Sequence, residues 1–195
     1  MDTKELNGAL ERVERRLFLR RGGLFTLGAT AALALAAPGR ALAMKSNTSE
    51  AEDIAILNVA LSLEHQAIAA YQVGAESGLL QEAVLDLAVQ FQGHHKAHAD
   101  ILAATVGKLG GKPAEAMKAA EYKFPVATLK SQADVLRFAA GLEKGAASAY
   151  LGAVPQFANR DLAKAAASIL GDETMHWAVL LNALGENPVP AAFIG

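Results

Sequence analysis

Leu63-Glu64-His65-Gln66-Ala67-Ile68-Ala69-Ala70-Tyr71 returns 79 residues later as Leu142-Glu143-Lys144-Gly145-Ala146-Ala147-Ser148-Ala149-Tyr150, and both copies read L-E-x-x-A-x-x-A-Y. The shared Glu, Ala and Tyr step by three or four, the spacing of one helical face. A second block repeats at an offset of 78, where Gly93, His98, Leu102 and Gly107 match Gly171, His176, Leu180 and Gly185. The slip of one residue between the blocks falls in loops, where it costs little. Two blocks in the same order describe two tandem helix hairpins packed about a pseudo-twofold axis.

Outward from the repeat, the apolar residues define four helices. Ser49-Glu50-Ala51-Glu52 reads as a capping box opening the first, which runs to about Val73 with the stripe Ile54, Leu57, Leu61, Glu64, Ile68, Tyr71. Residues 74–78 make a short link to the second helix, about 80–106, with the stripe Leu80, Val84, Leu87, Phe91, His95, His98, Leu102. Residues 108–130 hold no long periodic segment and include Pro125, so they read as a crossover with about one helical turn. Ser131-Gln132-Ala133-Asp134 is a second capping box and opens the third helix, which ends at Pro155. The fourth starts near Asn159 or Asp161 and is stopped by Gly185 and Pro188. Short loops within the hairpins and a long link between them predict an all-α antiparallel four-helix bundle with one long crossover.

Composition narrows the chemistry. The 195 residues suit one domain, and 52% hydrophobic against 19% charged residues is too apolar for a disordered chain. The absence of cysteine removes disulfides, thiolate metal sites and cysteine nucleophiles, leaving carboxylates and histidines. A formal net charge of −2 gives no basic footprint for nucleic acid.

Residues 1–43 read differently from the rest. Arg15-Arg16-Leu17-Phe18-Leu19-Arg20 precedes a modest apolar run over 22–37, then Pro38-Gly39-Arg40 and Ala41-Leu42-Ala43, a small-residue cleavage pattern. The segment resembles a twin-arginine export signal. Its 16-residue run, holding three Gly and two Thr, falls short of the ~20 apolar residues of a spanning helix. The expectation is cleavage after Ala43, a periplasmic or otherwise exported domain over 44–195, and no stable membrane anchor afterwards. Residues 44–195 keep 11 basic and 16 acidic residues, a net −5 that suits a soluble exported protein. The resemblance also implies export in the folded state, so a factor can be inserted beforehand.

Six polar residues stand in the stripes where apolar ones belong. On the repeat, Glu64 pairs with Glu143, His95 with Glu173, and His98 with His176. An unpaired buried charge costs several kcal/mol or titrates away, so these six need partners. A carboxylate from each of two helices plus an i,i+3 pair from each of the other two is the bundle arrangement that chelates two metal ions. His94, which aligns with Asp172, falls outside the stripe and reads as surface, as does His65, which aligns with Lys144. His94 and His98 form a competing i,i+4 pair with zinc-like spacing. Tyr71 and Tyr150 read as core aromatics, with outer hydrogen-bond donors to the site or radical-capable neighbours as the alternative.

Leu63-Glu64-His65, His95-Lys96-Ala97-His98-Ala99-Asp100-Ile101-Leu102 and Glu173-Thr174-Met175-His176 resemble the ferritin-like superfamily, specifically bacterial exported ferritin-like domain proteins. The resemblance spans essentially all of 44–195. It implies a metal site of Glu64, His95, His98, Glu143, Glu173 and His176 holding iron or manganese, with zinc as the alternative. Glu64 and Glu143 would bridge or chelate, His98 and His176 would be terminal ligands, and Glu173 and His95 would complete the shell. Oxidase, peroxide-detoxifying or ferroxidase activity follows, with an external electron donor because no thiolate iron domain is encoded. In one departure, the family's first E-x-x-H is here His95-x-x-His98, which removes a negative charge and a bridge. Two ions, or one tight and one weak, are both compatible with this set. The alternative is a non-catalytic stress or interaction protein in which Glu64, His98, Glu143 and His176 form a buried hydrogen-bond network over a degenerate metal site. Metal ions are the expected partners, a homo-oligomer stays open, and no nucleic acid is expected.

Overall fold

The computed structural model describes residues 38–194, with side chains from Ser49 onward. Most of the export-signal segment, residues 1–37, lies outside the described residues. Four helices make up the domain: α1 (Pro38–Glu76), α2 (Glu82–Lys108), α3 (Gln132–Ala153) and α4 (Arg160–Ala183). No strand occurs among the described residues. α1 packs along α2 and α3 along α4 as two hairpins. The link from α2 to α3 is the expected crossover, carrying two 3-10 turns, Ala119–Tyr122 and Val126–Thr128.

Local chemistry accounts for most helix ends. Ser131 caps α3, its hydroxyl oxygen accepting from the Asp134 N–H at 3.2 Å while the hydroxyl donates to the Asp134 carboxylate at 2.8 Å. Asn159 caps α4, accepting from the Asp161 N–H at 2.8 Å. Gly78, at φ 69°, turns the chain after α1 in a conformation that costs a side-chain-bearing residue more. The start of α1 is a correction to the sequence reading. The helix begins at Pro38 and runs through Ser49 without a break, so the box at residues 49–52 does not open it. Pro38 presets the first φ, and Ala41-Leu42-Ala43-Met44-Lys45 is a run of strong helix formers, so nothing upstream of Ser49 stops the helix.

Two polar straps hold the helices in place. Buried Asp53 on α1 accepts from the Ala158 and Asn159 N–H groups at 2.8 and 3.0 Å, fixing the α3–α4 loop. Asn58 on α1 donates to the Lys112 carbonyl and accepts from the Ala114 N–H, tying down the start of the crossover. Where the crossover begins, a Cβ on Gly111 would lie 2.7 Å from Ile54 Cγ2, so only glycine fits that approach.

The apolar core is in two layers. One is built around Leu57, Leu61, Leu102, Val106 and Ile169, the other around Phe91, Leu136, Ala140 and Leu180. On every helix the six polar stripe residues fall between these layers. Ser49–Glu76 of α1 is long and apolar enough to cross a membrane by length and composition, but it carries buried Asp53 and Glu64 and supplies core to both layers.

Candidate metal centre

Glu64 from α1, His95 and His98 from α2, Glu143 from α3, and Glu173 and His176 from α4 converge between the apolar layers. All are buried except His98, whose side chain keeps 15% exposure. His95 is the hub of the cluster. Its Nδ1 lies 2.8 Å from Glu64 Oε2 and its Nε2 lies 3.2 Å from Glu143 Oε1, so one ring joins the carboxylates of α1 and α3. His98 Nδ1 is 3.2 Å from Glu173 Oε1 and 3.5 Å from Glu64 Oε2. His176 Nδ1 is 3.4 Å from Glu143 Oε2 and 3.8 Å from Glu173 Oε2, and Phe91 stacks on its ring at 4.0 Å between centroids.

The repeat recurs in the tyrosines. Tyr71 on α1 donates a short hydrogen bond to Glu143 on α3, and Tyr150 on α3 donates to Glu64 on α1 at 2.6 Å. Each hairpin therefore orients the other hairpin's glutamate. Burial pushes both tyrosines up, and the facing carboxylates push them further, so both stay protonated donors.

The same competition sets the other charges. Burial opposes a charged His95, but the carboxylates of Glu143 and Glu64 outweigh it and lift its pKa to about 10. His98 and His176 follow the same pattern, each raised to about 9 against burial by Glu173 with Glu64 and by Glu143 with Glu173. Burial alone would raise Glu64 and Glu143, yet their histidine hydrogen bonds hold both below the ordinary carboxylate range. Glu173 goes the other way: burial, reinforced by neighbouring Glu143, pushes it up.

Two residues lie at the edge of this cluster. His94 is 39% exposed, but it does not simply face solvent, because its Nδ1 lies 2.9 Å from His176 Nε2 and 3.2 Å from Asp172 Oδ2. Asp172 is the site residue that sequence reasoning missed. Its Oδ2 is 3.3 Å from His98 Nε2 and 3.4 Å from His176 Nε2. The available signal was its alignment with His94 and its i,i+4 spacing to His176. His65 is half-buried under the crossover, its Nε2 3.2 Å from the Ala114 carbonyl, and takes no part in the centre.

The donors fit metal ions. Ligand atoms of Glu64, His95, His98 and Glu173 lie within 4.8 Å of one another, and so do those of His95, Glu143, Glu173 and His176. The two sets share His95 and Glu173. Neither buried oxygen of Glu173 has a hydrogen-bond partner, nor does His98 Nδ1, which faces Glu173 at ion-pair distance without hydrogen-bond direction. Orphaned buried acceptors cost about 1–3 kcal/mol each, more when charged, and a bound cation removes that cost. Mixed carboxylate and imidazole donors suit first-row divalent ions.

These features define a helical-bundle protein with a buried carboxylate–histidine centre. The chain belongs to the ferritin-like domain family, whose family model matches residues 52–186. Its structure is similar to that of a conserved hypothetical protein, rv2844, from Mycobacterium tuberculosis, at 26% identity and a TM-score of 0.64, covering 74% of this chain and 99% of that one. No curated protein matched the sequence.

Proposed function

We propose that this is an exported ferritin-like metalloprotein whose buried centre holds two iron or manganese ions and supports redox chemistry toward dioxygen, peroxide or ferrous iron. The observation that carries the reading is the pair of overlapping four-donor sets joined through Glu173, whose two buried oxygens lack hydrogen-bond partners. Bound ions would supply electron transfer and Lewis acidity; zinc would supply only the latter. The chain's own residues do the rest. Glu64 and Glu143, aimed by Tyr150 and Tyr71, give a carboxylate to one set each. His98 and His176 turn Nδ1 inward while Asp172 faces their Nε2 atoms and fixes ring orientation. The apolar layers on either side keep bulk water out and strengthen every charge interaction between them.

Export rests on Arg15-Arg16 and the Ala41-Leu42-Ala43 pattern. Mass spectrometry of the exported form should find Met44 at the N-terminus, and lysine at both 15 and 16 should block export. An intact Met1 in the exported protein contradicts this.

A non-catalytic bundle with a degenerate site is favoured by one observation: His95, Tyr71 and Tyr150 already satisfy Glu64 and Glu143 within the protein. Ferrous-iron oxidation and peroxide consumption by metal-loaded protein separate the two readings. Turnover that falls at least tenfold in a Glu64→Gln/Glu143→Gln variant supports the redox reading. Loaded protein that turns over neither substrate supports the inert bundle.

A further inference from the structure

A second donor cluster lies outside the buried centre, on the face where α2 meets α4. The repeat sets positions 94 and 172 opposite one another, each one residue before the inward-facing His95 and Glu173. His94 Nδ1, His176 Nε2 and Asp172 Oδ2 form a triangle with edges of 2.9, 3.2 and 3.4 Å. Donor atoms that share an ion about 2.1 Å away are separated by about 3.0–3.4 Å on one face of its coordination polyhedron. Two edges of the triangle, 3.2 and 3.4 Å, lie in that range and the third, 2.9 Å, falls just short of it. Two imidazoles and one carboxylate select a first-row divalent ion over magnesium or calcium, which prefer oxygen alone.

Exposure distinguishes this cluster from the centre behind it. His94 is 39% exposed and Asp172 23%, so water can fill the remaining coordination positions, whereas Glu64, Glu143 and Glu173 are fully enclosed. His176 and His98 border both places, since each presents Nδ1 to the buried carboxylates and Nε2 to Asp172. With both places filled, the His176 ring would hold an ion at each nitrogen as imidazolate, its remaining ring proton released to solvent. Of the six central residues His98 is the most exposed, at 15%, and its Nε2 lies 3.3 Å from Asp172 Oδ2 in this cluster. A hydrated ion arriving here would exchange water for two nitrogens and an oxygen before it reaches any of the three buried glutamates.

We propose that His94, Asp172 and His176 form an outer binding position for a first-row divalent cation, at the mouth of the buried centre, from which the ion passes inward beside the rings of His98 and His176. The inward passage rests on the proposed function. The outer position rests on its own triangle.

Cobalt(II) titration of the full, metal-stripped chain tests this, with ions per chain counted by elemental analysis and loading followed by absorption after rapid mixing. Three variants are compared with the original: His94→Ala, the conservative His94→Gln, and Glu64→Gln/Glu143→Gln. Both His94 variants should bind one ion fewer than the original chain and load the buried centre at least tenfold more slowly. The double glutamine variant should keep the outer ion. Folded His94 variants that bind the original number of ions at the original rate overturn the proposal, as does an original chain that binds none. Should the double glutamine variant lose no ion while the His94 variants lose one, the buried-centre reading fails and the outer position stands.

Discussion

His95 stands where the second hairpin has Glu173, and its ring spans a gap that a carboxylate would bridge, touching Glu64 with one nitrogen and Glu143 with the other. His95→Glu makes the two halves alike and adds a fourth carboxylate beside Glu64, Glu143 and Glu173. Without metal, like charges that close oppose folding, and a loss of a few kcal/mol is expected. With iron or manganese the added charge should raise occupancy of the second position, so thermal melts with and without metal should diverge far more than in the original protein. A loss that no metal rescues would mark the cluster as an inert network. Tyr71→Phe and Tyr150→Phe each remove a hydrogen bond to a buried carboxylate, and about 1–3 kcal/mol is expected for either in chemical denaturation. The crossed geometry makes the two losses similar. The six central residues were legible in the sequence because each breaks an apolar stripe, and the repeat aligned them. Asp172 and His94 were not, since a half-exposed polar residue on a helix reads as ordinary solvated surface until the opposing helix is placed.

The helices themselves owe their limits to caps and straps. Removing the α3 cap by Ser131→Ala should cost about 1 kcal/mol, read as a lower denaturation midpoint with unchanged slope. Asp53→Ala should cost more, because it orphans the Ala158 and Asn159 N–H groups at the head of α4 and leaves a gap in the core of α1. Asp53→Asn keeps one acceptor oxygen and should fall between. The third and fourth helices were readable from Ser131, Pro155 and Asn159 because those residues act locally. The start of α1 was not readable, because a capping box decides a helix start only where the preceding residues resist helix, and residues 41–45 favour it. The straps from Asp53 and Asn58 join segments more than 50 residues apart, so no local pattern could announce them.

Across the whole molecule, the buried charges set how stability follows pH. His95, His98 and His176 have pKa values raised from 6.5 to about 10, 9 and 9, so their contribution is complete below about pH 6.5 and is lost as pH climbs toward 9–10. Glu64 and Glu143 are lowered from 4.5, so theirs is present above that value and is lost on acidification. The metal-free protein should therefore melt highest between about pH 4.5 and 6.5 and weaken toward pH 9. Metal ions need neutral imidazoles, so binding releases protons, and the metal-induced rise in Tm should grow over the same interval. A metal-free Tm that rises from pH 6.5 to 9 contradicts these charges. The bundle topology was legible at this scale from loop lengths and the repeat alone, whereas the layering of core around the centre needed the helices packed. The most direct test of a two-ion centre is anomalous diffraction at the iron and manganese edges from crystals of the loaded protein. Two peaks flanking Glu173, one beside Glu64 and His98 and the other beside Glu143 and His176, are the result this account requires. An intact bundle with no peak among those residues would contradict it.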